Sequence, residues 1–438
     1  MKNIVVVGGG FAGTAAVKQL EPRLPADWQA VLVSEENYMA YTPLLPEVAG
    51  ASLLPGHAVA PIRKMLRRTR YHRCRVLDVD LRQRWIHLEA GQTVQTMPYE
   101  HLVLACGKVP DMSFIDGMAE HALPLKTLGD ALHIRNRVIV SLERAEMEDD
   151  SEARRRMTTF VVVGGGSSGV EVAGAVADFL NAARKYYPRM RETAVRVVLL
   201  EGGGRLLSEF PGALGASALR LMRRNGIDVR LNARAAAVTE YGLEIEGGGW
   251  IEADNIICTI GTAPNPLVER LDLPREKGLI KTSPDMSVPG LKDVWAIGDC
   301  AAVINADDGA LSPPTAQFAV RQGKQLARNI ARAVADRPSR PFSYRSRGQL
   351  ATIGHRKAVA HVLGMKLSGF PAWLIWRAVY LAMLPTLVRK LQVFSEWNLE
   401  LLFPRDMTQL NFARTSWPRG EADKASESGQ RTGTNDLR

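Results

Sequence analysis

What this chain lacks narrows it first. It has four cysteines, Cys74, Cys106, Cys258 and Cys300, and none forms a CxxC, a CxxxxC or a cluster with metal-ligand spacing. That scatter argues against a disulfide framework, a zinc site and a dithiol centre. There is no uninterrupted apolar run of about 20 residues, so no segment reads as a spanning helix. Met1 and Lys2 run straight into a strand, without the longer apolar stretch of a secretory signal, which predicts a protein that begins in the cytoplasm. Acid is scarce in one region: residues 340–419 carry twelve Lys/Arg and three Asp/Glu, an excess of nine against a whole-chain charge of +10. The basic surplus is therefore a property of the C-terminal part and not an even coat, and four of the eight tryptophans lie there too.

What is present is a series of buried strands. The runs "NIVVVG", "AVLVSE", "HLVLACG", "TFVVVGG", "VRVVLLEG", "NIICTIG" and "DVWAIGD" are continuously apolar, the pattern of parallel strands covered on both faces. A length of 438 residues exceeds one ordinary domain. The expected fold class is α/β, with two Rossmann-like dinucleotide-binding domains and a C-terminal helical segment. Between the two sets of strands, "LGDALHIRNRVIVSLERAEMEDDSEARRR" predicts a solvated surface helix. "DRPSRPF" breaks a later helix and marks a boundary. The polar stretch from about residue 414 has the composition of a disordered tail.

Two glycine turns carry the chemistry. Gly8, Gly10 and Gly13 fit G-x-G-x-x-G after an apolar strand. This spacing lets the chain turn sharply, brings backbone against a pyrophosphate and offers it a helix N-terminus. The next strand ends in Glu35, at the distance from which an acid grips an adenosine ribose. Gly164, Gly166 and Gly169 repeat the pattern, and the following strand ends in Glu201. An acid there favours NADH over NADPH, with the nearby Arg205 as a counterweight. In "DVWAIGDCAAV", Gly298 and Asp299 follow a strand as they would to aim a carboxylate at a flavin's ribityl chain; a simple helix cap is the alternative.

The stretches "VVVGGGFAG", "ENYMAYTPLLPEVAG", "VVVGGGSSGVEVAG", "GTAPNP", "VWAIGDCA" and "PPTAQFAVRQG" together resemble the FAD-dependent pyridine nucleotide-disulfide oxidoreductases, and within them the type II NADH dehydrogenases, single-subunit NADH:quinone oxidoreductases. The resemblance runs from Met1 to about Asp406. It implies that Gly8, Gly10, Phe11, Ala12, Gly13, Glu35 and Asp299 hold FAD, and that Gly164, Gly166, Gly169 and Glu201 hold NADH. Hydride would then pass from one turn to the other. It further implies that Glu171 lies by the nicotinamide and flavin, orienting NADH rather than transferring a proton. Ala316, Gln317 and Arg321 would form the quinone site, with Glu171 and Gln317 at the reacting centre. Two departures stand out. Relatives carry a second glutamine where this chain has Arg321, and Gln322 points about 100° away from it. Relatives also often carry the ribose acid at the place of Ser34, leaving Ser34 and Glu35 as alternatives. Disulfide reductases and sulfide:quinone enzymes need cysteines beside the flavin, and none follows Cys300.

Residues 370–403 read as an amphipathic stretch interrupted by Arg377, Pro385, Arg389 and Lys390. Trp373, Trp376, Tyr380, Met383, Leu384, Leu387, Val388 and Leu391 recur at three- and four-residue intervals, a face suited to lying in an anionic leaflet with tryptophans at headgroup level. The alternatives are a core helix and a homodimer contact. The expected partners are thus a membrane quinone and an anionic membrane surface at the cytoplasmic face, with no nucleic acid. The predicted boundaries are 1–112 with 285–338 for FAD, 113–284 for NADH, 339–413 for membrane anchoring and 414–438 for the tail.

Overall fold

The computed structural model describes residues 1–192 and 195–410. Met1–Met407 forms one compact unit; residues 408–410, the described part of a second, carry no regular secondary structure. The predicted tail lies outside the described residues. The principal elements begin with β1 (Lys2–Val7), α1 (Phe11–Leu20), β2 (Trp28–Ser34), α2 (Leu45–Ala49), β3 (Arg70–Arg73) and β4 (His101–Leu104). They continue with β5 (Ala122–Pro124), α3 (Leu128–Met147), β6 (Thr159–Val163), α4 (Ser167–Ala183), β7 (Arg196–Glu201), β8 (Ile227–Leu231) and β9 (Asn255–Cys258). Last come β10 (Val294–Ala296), α5 (Ala316–Val334), β11 (Gly348–Gly354), β12 (Lys357–Val362), β13 (Met365–Gly369), α6 (Phe370–Met383) and α7 (Leu387–Leu399).

All seven apolar runs are strands, and they sort into two parallel sheets. The first has the order β10-β4-β1-β2-β3 and the second β5-β9-β6-β7-β8. In each, the glycine turn follows the strand at which the order reverses, the switch point where open α/β sheets bind ligands. Strand residues such as Ile4, Val5, Val6, Val161 and Val162 are fully buried, which is why their runs show no polar alternation. A small antiparallel sheet, β11-β12-β13, follows α5 and leads into α6.

Two local expectations are corrected. The charged segment at α3 is not a solvated helix: Ala131, Ile134, Val138, Leu142 and Ala145 form a buried stripe, and Arg135 is buried with them, 3.2 Å from Asp406. Residues 370–403 form two helices, because Pro385 cannot extend the first and the Thr386 hydroxyl caps the second. Their tryptophans face inward. Trp373, Trp376 and Trp397 are buried, with Arg377 stacked 3.9 Å from the Trp373 ring and 4.9 Å from that of Trp397. The tryptophans are thus core residues and not headgroup anchors. Of the expected face, Met383, Leu387, Val388 and Leu391 do remain exposed, joined by Phe394 on α7. Among the described residues no helix is long and apolar enough to cross a membrane.

Candidate active site between two glycine turns

The two turns use the same backbone device. Gly8 and Gly164 both sit at φ +113°, where a Cβ would lie 2.2 Å from the Ala105 carbonyl oxygen and 2.4 Å from the Ile260 side chain. Gly13 and Gly169 let their helices pack on the turn, since a Cβ would fall 2.0 and 1.8 Å from the carbonyls of Gly8 and Gly164. Gly10 and Gly166 differ from these four. Their φ angles are ordinary, −77° and −72°, and a Cβ on either would meet nothing within 4 Å. The emptiness beside Gly10 and Gly166, at helix ends that neither residue's side chain can cap, is the space a pyrophosphate needs. The α4 end already attracts an anion: Glu209 accepts from the Ser167 amide at 3.3 Å and from its hydroxyl at 2.6 Å. The residues present therefore fit two dinucleotides.

A cavity of about 950 Å³ receives both turns. Gly8, Gly10, Phe11, Ala12, Ser34 and Glu35 reach its wall from the first, and Ser167, Ser168 and Glu171 from the second. Asp299, Ala316 and Gln317 close another side, and Tyr380 and Met383 of α6 a further one. Gly13, Gly164, Gly166, Gly169, Glu201 and Arg321 are not on that wall. The first four of these build the turns themselves. Arg321 lies one turn along α5 from Gln317, 5.3 Å above the Tyr344 ring.

Backbone register settles how the two acids compare. The Gly8 amide donates to Val33 and the Gly164 amide to Leu200, so Ser34 and Glu201 occupy matching places. Glu201 is braced there, its carboxylate accepting from the amides of Gly165 at 2.7 Å and Gly203 at 2.6 Å. Glu35 lies one residue further, 70 % exposed at the side chain and 3.9 Å from Arg75. Gly298, at φ +73°, turns the chain into Asp299, and its amide donates to Gln322 Oε1 at 2.8 Å. Gln322 is buried and sets this turn; its offset from Arg321 on the helix gave the only signal of it in the sequence.

Glu171 is 7 % exposed and accepts from the Thr352 amide at 3.2 Å. Burial, with the charge of Glu47, pushes its pKa up to about 8. At neutral pH it is a neutral acid and a hydrogen-bond donor. Tyr41, on the same cavity, is buried with a hydroxyl that has no hydrogen-bond partner among the described residues, and its ring stands 6.2 Å from that of Tyr380. Sequence reasoning missed Tyr41 because nothing local marks a residue whose neighbours come from α1 and α6. It also missed an approach of two thiols. Cys106 and Cys300 lie just beyond neighbouring strands, and the nearness of Cys300, with burial, pushes the Cys106 thiol well up, while Cys300 Sγ donates to the Leu104 and Ile297 carbonyls.

Two nucleotide cradles converging on one cavity define a two-dinucleotide oxidoreductase fold. Comparison with known proteins agrees: the model of the pyridine nucleotide-disulphide oxidoreductase family matches residues 2–323, and that of the NDH2 C-terminal domain matches residues 346–406. The type II NADH:quinone oxidoreductase Ndh of Mycobacterium tuberculosis is 32% identical, over 94% of this chain and 92% of its own length. The internal alternative NAD(P)H-ubiquinone oxidoreductase A1 of Arabidopsis thaliana mitochondria is 28% identical, over 93% of this chain and 85% of its own. NDH2 of Plasmodium falciparum in complex with NADH superposes with a TM-score of 0.87 at 20% identity, covering 93% of this chain and 99% of that one. The chain belongs to the pyridine nucleotide-disulphide oxidoreductase family and, within it, to the type II NADH:quinone oxidoreductases.

Proposed function

We propose that the chain passes two electrons from NADH through FAD to a membrane quinone, without pumping protons. The observation that carries this reading is the reach of the cavity. It runs from the two glycine turns to Met383, which is also 42% exposed on the apolar C-terminal surface. An acceptor dissolved in lipid can enter from that side while NADH enters from the other. Bound FAD supplies the two-electron exchange. The N-terminus of α1 at Gly10, with Phe11 and Ala12, binds its pyrophosphate; Ser34 and Glu35 bind its ribose; Asp299 binds the ribityl chain. The N-terminus of α4 at Gly166 binds the pyrophosphate of NADH, and Glu201 accepts from its ribose hydroxyls. Glu171 orients the nicotinamide and, contrary to the expectation that it transfers no proton, its pKa pushed up to about 8 by burial also equips it to supply one. Gln317, with Ala316 beside it, donates to a quinone oxygen, and Arg321, one turn further along α5, stacks on Tyr344 at the edge of that site. In this reading residues 1–112 with 285–338 serve FAD, 113–284 serve NADH, and 339–413 face the membrane.

The enzyme lies on the cytoplasmic face of the membrane as a peripheral protein, through the apolar surface of α7. Leu387, Leu391 and Phe394 recur on one side of that helix, and Leu387 is 71% exposed. Replacing all three by glutamate should leave flavin and NADH binding intact and abolish co-sedimentation with anionic vesicles. Continued sedimentation would remove this anchoring. A homodimer through the same face would instead show as a mass change without lipid. The catalytic reading is tested by anaerobic rapid mixing with NADH and then with a short-chain quinone. Bleaching and recovery of the flavin band are expected; bleaching without recovery would exclude quinone as acceptor.

A further inference from the structure

A second, half-buried carboxyl stands behind Glu171. Leu45 and Pro46 of α2 wall the cavity, whereas Glu47 does not; its Oε2 accepts from the Trp397 indole at 2.7 Å. Behind Trp397, Glu400 pairs with Arg377 and Arg405, each at 3.2 Å, and Arg377 also donates to the Trp397 carbonyl at 3.1 Å. Arg405 further donates to the carbonyls of Gly50 at 2.9 Å and Ala175 at 3.2 Å, clamping the end of α2 to α4. The two segments touch there, since a Cβ on Gly50 would lie 2.8 Å from that of Ala175. Glu47 is three residues before Gly50, and Glu171 four before Ala175. The carboxyls thus flank one helix contact, and the charge of Glu47 raises the cost of ionising Glu171.

The remaining charges around α2 are already engaged. From α3 comes Arg135, paired with Asp406, and from residues 55–58 comes His57, paired with Glu396. Burial, then the charge of Glu400, pushes Glu47 up to about 8, against the opposing pull of Trp397, Arg377 and Arg405. Two carboxyls of raised pKa therefore lie on either side of the α2–α4 contact, Glu171 on the cavity and Glu47 toward the C-terminal helices.

We propose that Glu47 is a positioning residue that holds the proton with which Glu171 is refilled during quinone reduction. The inference rests on the quinone reading above. NADH, quinone and one proton from water give NAD⁺ and quinol, both electrons coming from NADH. The Glu171 O–H bond breaks as its proton goes to a quinone oxygen; the Glu47 proton then passes to the Glu171 carboxylate, and water restores Glu47.

The test uses the full-length, FAD-loaded enzyme with Glu47→Gln and Glu47→Asp, mixed first with NADH and then with a short-chain quinone between pH 6 and 9. Flavin bleaching by NADH should be unchanged. Recovery with quinone should slow at least about tenfold in Glu47→Gln, keep a break that moves to lower pH because Glu171 loses the charge that raises it, and return in part in Glu47→Asp. A second readout needs no turnover: the fall of the melting temperature between pH 5 and 8 should be shallower in Glu47→Gln. Wild-type recovery rate and pH profile in Glu47→Gln would overturn the proposal, as would equal slowing of both half-reactions in both variants. A wild-type enzyme that does not recover with quinone would overturn the quinone reading itself, and the proposal with it.

Discussion

The strand after the first turn ends in Ser34, and the strand after the second ends in Glu201. One helical turn further on, where α4 carries Glu171, α1 carries Ala15. Everything between is shared: the same φ at Gly8 and Gly164, the same contact of Gly13 and Gly169, the same open space at Gly10 and Gly166. The differences follow from what covers each helix. α5 packs on α1 so closely that a Cβ on Gly323 would lie 2.3 Å from the Ala12 carbonyl and 3.1 Å from Ala15. The side of α1 that carries Ala15 is therefore taken up by α5. Opposite α4 stands the edge of β11, whose Thr352 amide meets Glu171. The first turn is closed in on its own domain, as suits a resident cofactor; the second presents an acid at each end, as suits a substrate that comes and goes.

The largest effect should come from filling the two open spaces. Gly10→Ala and Gly166→Ala meet no neighbour and keep an ordinary φ, so both variants should fold. Gly10→Ala should purify without its visible flavin band, whereas Gly166→Ala should keep the band and lose NADH affinity about tenfold or more. If both lost flavin, the assignment of ligands to turns would fail. Next in size is the acid itself. Glu201→Ala removes two amide contacts and the proposed ribose partner, worth about tenfold or more in NADH binding by titration of flavin bleaching; FAD content should hold. Ser34→Ala should weaken FAD retention only slightly. An equal loss of FAD in the two variants would erase the distinction drawn between the halves.

The strands and turns were legible because their cause is local. A strand buried on both faces must be continuously apolar, and a turn at φ +113° needs glycine, so the chain declares both within a few residues. The direction of a helical face is not declared that way. The spacing of Trp373, Trp376 and Tyr380 gave a stripe on α6, but the stripe turned inward because Arg377 could be buried among tryptophans and Glu400. The same holds for α3, where Ala131, Ile134, Val138 and Leu142 were spaced for burial and the surrounding charges concealed it. In the site, the glycines and Asp299 could be read in advance. Tyr41, Glu47 and Gln322 could not, since their partners lie on segments distant in the chain.

The smallest effect tests the asymmetry between Ala15 and Glu171 without any ligand. The Glu171 carboxyl is pushed up to about 8 in the folded chain, against an ordinary value near 4.5 when unfolded. Between those limits the unfolded chain binds fewer protons than the native one, so stability falls as pH rises. The stabilising difference is fully present below about pH 4.5 and gone above about 8. Glu171→Ala, which makes the second helix resemble the first, removes that proton from the balance. Its melting temperature should therefore decline less steeply than the wild type's from pH 5 to 8, so that any deficit of the variant at acid pH narrows toward alkaline pH. An identical slope would mean that Glu171 ionises as freely as an exposed acid, and the contrast between the two helices would then reduce to shape alone.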